Sequence, residues 1–145
     1  MMCDPRRAPP IPDTVAAAFE ALSEPTRIQL LHIRRLIFEV AEETPGVGPL
    51  TETLKWGEPA YLTAASRSGS TIRLGVSKTL GNTAAILFNC HTTLVETFRA
   101  QFPDTFAYQG NRAIRVPPSV PLLEPPLAIC LAMALTYHHR RRLER

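Results

Sequence analysis

The sequence predicts an α+β domain, in which an antiparallel sheet of about four to five strands is covered by N-terminal, middle and C-terminal helices. The first observation is size: 145 residues, 45% of them hydrophobic, suit one domain with its own core. The second is period, since helical spacing opens and closes the chain while the middle alternates polar and apolar residues. We therefore expect a flexible arm rich in proline and arginine over residues 1–12 and a single domain over residues 13–145.

Two helices are expected before the sheet. Asp13 and Ser23 are residue types that cap helix N-termini, and Pro25 falls in the first turn of the second helix, where a missing N–H costs nothing. The second helix is one-sided, since its apolar residues recur at helical spacing at Leu30, Ile33, Ile37, Val40 and Ala41. The run of prolines and glycines over residues 45–49 ends it.

The sheet is expected in the middle of the chain. Residues 54–62 contain Pro59 and therefore indicate an edge strand or a bulged one. Residues 71–76 alternate as a half-buried strand does, and the apolar run within residues 83–89 is typical of a central strand. Residues 113–116 predict a last strand that forms a hairpin with the segment before it.

Two further helices are expected around that hairpin. Thr93 and Glu96 have the spacing of a capping box, which predicts the start of a middle helix that Pro103 ends. A last helix should run from Pro125 to about Arg142. Its apolar residues surround most of its surface, which predicts that it packs in the centre of the fold.

The net charge of +3 resides at the end of the chain. The segment after His139 carries one glutamate and four arginines: Arg140, Arg141, Arg142 and Arg145. The rest of the chain is therefore neutral, which argues against nucleic acid as a partner.

The cysteines and the N-terminus indicate a cytoplasmic protein. Cys3, Cys90 and Cys130 form neither a CxxC pair nor a zinc spacing, so they are expected to be free thiols of a reducing compartment. No apolar run follows the N-terminal arginines, as a secretory signal would require. The longest wholly apolar stretch, residues 127–135, is about half of the roughly 20 residues that span a membrane. No membrane partner is expected.

Residues 54–61, Leu-Lys-Trp-Gly-Glu-Pro-Ala-Tyr, resemble the Trp-Gly-x-Pro-x-aromatic signature of the YdhG-like family, a bacterial domain of unknown function. Residues 88–90, 94–98 and 110–114 are similar to later blocks of one branch of that family. The resemblance covers roughly residues 25–141 and implies an antiparallel sheet covered by helices. Some relatives are likened to frataxin-type iron chaperones, which implies iron held by clustered carboxylates. The acidic residues of this chain that lie close together in the sequence are Glu39, Glu42 and Glu43.

A first candidate site combines Trp56, Pro59 and Tyr61 with Arg73 on the next predicted strand. An arginine beside aromatic rings in a pocket can bind a carboxylate or phosphate while stacking on the rings. The alternative is structural: Trp56 anchors the core, Pro59 shapes an edge and Arg73 faces solvent.

A second candidate is Asn89, Cys90 and His91, at a junction between a strand and a helix. A helix N-terminus favours anions and lowers the pKa of a nearby thiol. Neighbouring residues on a strand point to opposite faces, which argues against a catalytic pair of Cys90 and His91. A buried, structural Cys90 is therefore the favoured interpretation.

A third candidate is the set of Tyr108, Asn111 and Arg112. A turn at Gly110 and Asn111 accounts for those two residues without a function, whereas Arg112, on a predicted strand beside Arg73, could form a basic lining. His138 and His139 are adjacent on the last helix and therefore cannot chelate one metal; cations at a helix C-terminus are structurally favourable.

No catalytic, nucleotide-binding or cofactor motif is present, which lowers the expectation of an enzyme. The leading hypothesis is a binding module for a small anionic ligand, without a metal or cofactor. Iron binding of the frataxin type is the second hypothesis. The third is an interaction protein that forms a homo-oligomer through a strand edge or the last helix. The residues expected to bind the anionic ligand are Trp56, Pro59, Tyr61, Arg73, Asn89, Cys90 and Arg112.

Overall fold

Five helices cover a six-stranded sheet in the computed structural model, which describes residues 8–77 and 83–144. The helices are α1 (Asp13–Glu20), α2 (Glu24–Glu43), α3 (Leu94–Gln101), α4 (Glu124–Leu135) and α5 (Tyr137–Leu143). None of these helices is long and apolar enough to cross a membrane. Residues 1–7 of the predicted arm, Cys3 and Arg145 lie outside the described residues.

All strand pairs are antiparallel, and the order in the sheet is β1-β2-β3-β4-β6-β5. The strands are β1 (Thr51–Lys55), β2 (Glu58–Leu62), β3 (Ile72–Ser77), β4 (Thr83–Leu87), β5 (Ala107–Gln109) and β6 (Ala113–Arg115). The predicted α+β class is confirmed, with one strand more than the upper expected number. β4 lies between β3 and β6, as its apolar sequence predicts.

The extra strand arises because residues 54–62 belong to two strands, not one. Lys55 pairs with Glu58, and between them Trp56 and Gly57 have φ values of 56° and 77°. Two consecutive residues with positive φ form a type I′ turn, which joins antiparallel strands most tightly. Asparagine and glycine are the usual residues of that turn, so a tryptophan gives no sequence signal for it. The prediction of a single strand is therefore wrong.

Pro59 lies in β2, which is an interior strand and not an edge. Pro59 pairs with Leu54, in the pair next to the one that closes the hairpin, and such a pair is not hydrogen-bonded. Its nitrogen therefore faces β3, whose recorded pairing with β2 is limited to Ala60 and Tyr61. A proline fits because no ladder hydrogen bond is lost there.

The core forms where one face of the sheet meets α2 and α4. Leu74, Ile86 and Ile114 form one row across β3, β4 and β6, and all three are fully buried. α2 contacts both α4 and β4, while α1 contacts β1 and β2. The predicted apolar side of α2 is confirmed, because its residues are all buried: Leu30, Ile33, Ile37, Val40 and Ala41.

The last helix is broken at Thr136, whereas the sequence predicts one helix to about Arg142. The loop between β2 and β3 packs against the break: Ser70 N–H donates to the Ala134 carbonyl at 2.8 Å, and the Ser68 hydroxyl to the Leu135 carbonyl at 2.8 Å. His139 N–H in turn donates to the Ser68 carbonyl at 2.9 Å. The loop thus satisfies backbone groups that a continuous helix would pair internally. Such a contact between distant segments leaves no local signal in α4.

The three predicted capping residues differ from the structure in detail. α2 begins after Ser23 with Pro25 in its first turn, as expected, but the Ser23 side chain makes no capping hydrogen bond. Thr93 precedes α3, but its side chain caps nothing; the Thr92 hydroxyl accepts the Leu94 N–H at 3.3 Å instead. The predicted capping box is therefore wrong. α1 starts at Asp13, which lies inside the helix and not at its N-cap.

Candidate functional site

A cleft of about 500 Å³ lies against the sheet. Antiparallel pairing places the end of β4 beside the starts of β3 and β6, and the turn between β1 and β2 reaches the cleft from the other end of these strands. The cleft is lined by Lys55, Trp56, Thr71, Arg73, Phe88, Asn89, Cys90, His91 and Arg112. Five of the seven residues predicted to bind a ligand are thus brought together: Trp56, Arg73, Asn89, Cys90 and Arg112.

Trp56 projects from the hairpin turn at the rim of the cleft. Its side chain is 89% exposed, so it is not the core anchor of the structural alternative. Its φ of 56° lies in the left-handed region, where a bulky residue costs about 1–3 kcal/mol. Backbone strain of this kind clusters at sites of function. The fold therefore keeps an indole in water at an energetic cost.

Three cationic side chains line the cleft. Arg73 donates a hydrogen bond to the Glu58 carboxylate, and each of these side chains is about three-quarters buried. Lys55 and Arg112 are exposed. Within residues 8–77 and 83–144 neither of them has a carboxylate partner. The cleft therefore has one arginine held in place and two unpaired cations, an arrangement suited to an anion.

Asn89 organises the turn between β4 and α3. Its Oδ1 accepts the His91 N–H at 2.8 Å, and its carbonyl accepts the Thr92 hydroxyl at 2.7 Å. This is an Asx-turn, in which the side-chain oxygen replaces a backbone acceptor. The amide NH₂ of Asn89 remains as a hydrogen-bond donor at the cleft.

Cys90 is exposed, which corrects the expectation that it is buried and structural. β4 ends at Leu87, and Cys90 lies in the following turn, where no strand face packs against the core. The argument from alternating strand faces therefore does not apply to Cys90 and His91. Both residues line the cleft, but no hydrogen bond joins them. The geometry provides a thiol at the cleft without an activating base.

Tyr61 and Pro59, the two other predicted residues, do not line this cleft. Tyr61 is fully buried, and its hydroxyl donates to Glu52 Oε2 at 2.9 Å. Tyr61 pairs with Ile72, so these two side chains lie on the same, buried face of the sheet. Arg73 is the next residue of β3, and its side chain lies on the opposite face because side chains alternate along a strand. The closeness of Pro59 and Tyr61 to Trp56 in the sequence therefore does not bring them into the cleft.

Lys55 and Phe88 belong to the cleft but were missed by sequence reasoning as site residues. Lys55 immediately precedes the Trp56–Gly57 turn, so recognition of a hairpin would have placed it beside the indole. Phe88 is buried beneath the cleft and packs edge-to-face on Phe98, with ring centroids 5.1 Å apart. The signals for Phe88 were its place in the predicted central strand and in the block of residues 88–90 that resembles the YdhG-like family.

A buried ion pair on the other face of the sheet was also missed. Arg34 on α2 binds both carboxylate oxygens of Glu52 at 2.6 and 2.8 Å, and these side chains are 6% and 5% exposed. Burial alone would lower the pKa of Arg34, but the hydrogen bond and charge of Glu52 raise it. Burial, followed by the charge of Glu52, raises the pKa of Tyr61. Since Pro9 accepts a further bond from Arg34 at 2.7 Å, the cluster has a structural role.

Tyr108 and Arg140 make hydrogen bonds that stabilise helix ends outside the cleft. The Tyr108 hydroxyl donates to the carbonyls of Phe98 and Phe102 at 3.0 and 2.7 Å, and so closes the end of α3. The Arg140 guanidinium donates to the Met133 carbonyl at 2.7 Å near the end of α4. This bond agrees with the expectation that cations in the basic tail satisfy a helix end.

The fold has a counterpart among solved structures, the crystal structure of YdhG from Bacillus subtilis, a protein of the DUF1801 family. The sequence identity is 16% and the TM-score 0.56, and the match covers 83% of this chain and 87% of that one. This chain has the YdhG fold. No family model and no curated protein matches it.

The resemblance of residues 54–61 to the YdhG-like family is therefore supported at the level of the fold. The likeness to frataxin gains no support. Within residues 8–77 and 83–144, no group of three or more His, Cys, Asp or Glu side chains is placed to hold a metal ion. Of the acidic cluster on α2, Glu39 lies 3.7 Å from the Arg35 guanidinium.

Proposed function

We propose that this YdhG-fold protein is a binding module for a small anionic ligand, which occupies the cleft beside Trp56. The convergence of Lys55, Arg73 and Arg112 on one cleft beneath an exposed, strained tryptophan carries the proposal. The volume of about 500 Å³ is in the range of small-ligand sites, which is roughly 300–1,000 Å³.

Each side chain has a distinct part in the proposed recognition. The unpaired Arg112 and Lys55 bind the anionic group, and the Asn89 amide donates a hydrogen bond to it. Arg73 is preorganised by Glu58, so little side-chain entropy is lost when the ligand binds. The Trp56 indole covers an apolar or planar part of the ligand, which explains why it is kept in water in the unbound protein.

The proposal does not include catalysis. The described cleft residues contain one thiol, Cys90, and one imidazole, His91, without a hydrogen bond between them. No carboxylate of the described chain lines the cleft to serve as a general acid or base. The arrangement suits binding and release better than bond-making.

Trp56 is the single tryptophan of the chain, so its fluorescence reports directly on the cleft. Inorganic phosphate, citrate and adenosine monophosphate serve as probes. We expect at least one of them to change the Trp56 emission saturably and to raise the melting temperature. A lost charge-assisted hydrogen bond is worth about 1.5–3 kcal/mol, so Arg112→Met should weaken binding at least tenfold.

Arg142→Met is the matched control, because it removes the same charge from an exposed residue of α5 that does not line the cleft. It should bind the probe as the wild type does. Equal affinities of the Arg112→Met variant and the wild type, or the absence of any saturable response to all three anions, would contradict the proposal.

Two further parts of the proposal concern location and partners. A cytoplasmic location is supported by the free thiols of the exposed Cys90 and the buried Cys130. The neutral body of the chain supports a small molecule and not a nucleic acid as the partner. Homo-oligomer formation and the flexibility of residues 1–12 stay predictions.

A further inference from the structure

A second, smaller cleft of about 130 Å³ lies at the opposite end of β6. It is bounded by α2, by the start of β5 and by the connector over residues 117–123. Its walls are mainly apolar, with Phe106, Val116, Val120 and Leu123 among them. It shares no residue with the cleft beside Trp56, so an inference about it does not rest on the proposed function.

Three polar side chains, those of Thr105, Gln29 and Arg115, interrupt the apolar wall, and two of them carry donors without a partner. The Nε2 of Gln29 and the Nε of Arg115 are buried from solvent and have no hydrogen-bond partner. Arg115 also has no ion pair in the described part of the chain. Folded proteins rarely bury N–H groups without an acceptor, so each such group requires an explanation. Here both unpaired donors belong to residues that line one cleft.

The strand register explains the space beside Arg115. Arg115 pairs with Ala85 on β4 and with Ala107 on β5, so both cross-strand neighbours have the smallest side chain that carries a Cβ. Neither alanine can accept a hydrogen bond or cover the guanidinium. Gln29 approaches from α2, one residue before the buried Leu30. A charged donor and an amide donor thus both line a cleft that has room for an acceptor.

We propose that this cleft binds a small carboxylate with a compact apolar body. The carboxylate accepts hydrogen bonds from the Arg115 guanidinium and the Gln29 amide, and the hydrocarbon part lies against Phe106, Val120 and Leu123. The cation requires an anionic group, and the apolar walls require the rest of the ligand to be hydrocarbon. The volume of about 130 Å³ is close to that of cavities of roughly 150 Å³ that hold benzene, so the ligand has the size of benzoate.

The test uses the full chain with ¹³C-labelled leucine and valine methyl groups and sodium benzoate as the probe. Saturable shifts of the Val120 and Leu123 methyl signals are expected. Benzyl alcohol, which has the same ring but no charge, should bind at least tenfold more weakly. Arg115→Met should raise the dissociation constant for benzoate at least tenfold, and Gln29→Leu should raise it several-fold.

Arg142→Met is the matched control, because it removes an exposed arginine of α5 that lines neither cleft and should leave the benzoate-induced shifts of the Val120 and Leu123 methyl signals unchanged. The proposal would be overturned if benzoate bound equally to the wild type and to Arg115→Met, or if benzoate and benzyl alcohol had equal affinities. Shifts confined to other methyl groups would also overturn it. If Arg115→Met does not fold, Gln29→Leu and the comparison of the two probes on the wild type decide it. The Val120 and Leu123 methyl signals report on this cleft and the Trp56 emission reports on the other, so failure here is distinguishable from failure of the proposed function.

Discussion

Trp56→Asn should make the protein more stable while it weakens ligand binding at the cleft. Trp56 has a φ of 56°, a conformation that costs an L-residue about 1–2 kcal/mol. Asparagine tolerates this region, because its short polar side chain forms local hydrogen bonds, and Asn-Gly is the preferred pair of a type I′ turn. The substitution therefore removes strain that the unbound protein retains.

The magnitude follows from the exposure of the side chain. Trp56 is 89% exposed, so it buries about a tenth of the roughly 250 Å² that a buried tryptophan would cover. At about 25 cal/mol per Å², the burial of this small area stabilises the protein by about 0.6 kcal/mol, which the substitution removes. Relief of about 1 kcal/mol of strain outweighs it, and Trp56→Asn should be more stable than wild type by about 0.4 kcal/mol.

Trp56→Ala is the matched control, because alanine removes the same buried area but keeps the strained conformation. It should be less stable than wild type by about 0.6 kcal/mol. The two variants then differ by about 1 kcal/mol, or roughly 2–4 °C in melting temperature for a chain of this length. Urea unfolding with unchanged m-values measures the difference. If the asparagine variant were no more stable than the alanine variant, the turn would not be strained by its tryptophan.

Three other substitutions test the fold. Gly69→Ala would place a Cβ 2.5 Å from the Leu135 Cα and should lower the melting temperature sharply, by several degrees, because the loop must move out of the helix break. Glu52→Gln leaves Arg34 buried without a full counter-charge. It should therefore reduce the free energy of unfolding, measured in urea, by about 3 kcal/mol. A loss below about 1 kcal/mol would contradict the importance of the buried pair for stability. Burial raises the pKa of Cys130 from 9.0 to about 12, so the folded state holds a proton that the unfolded state releases. Stability is therefore complete below about pH 9 and should fall above it, by at most about 1.4 kcal/mol per pH unit, whereas Cys130→Ala should lack this part of the decline in urea titrations.

Much of the fold was predictable from local sequence, because helices and strands bury one face and their periods record which residues face the core. The apolar side of α2, the alternation in β3 and the apolar run of β4 each led to the correct element. The errors share one cause. The Trp56–Gly57 hairpin, the break at Thr136 and the start of α3 depend on unusual backbone conformations or on hydrogen bonds between distant segments, which leave little trace in residue type.

The candidate site was predictable in part for the same reason. The amino-acid sequence by itself determined the class of fold, the strand that carries Arg73, the hairpin turn that contains Arg112 and the neutrality of the chain before its basic tail. Only the tertiary structure decided that these arginines share a cleft with Lys55, because strand pairing and the turn between β1 and β2 bring residues that are distant in sequence to one surface. It also decided that Tyr61 is buried and Trp56 is exposed. The two residues are close in sequence, but Trp56 lies in a turn that projects into solvent, whereas Tyr61 lies on the strand face that packs on the core.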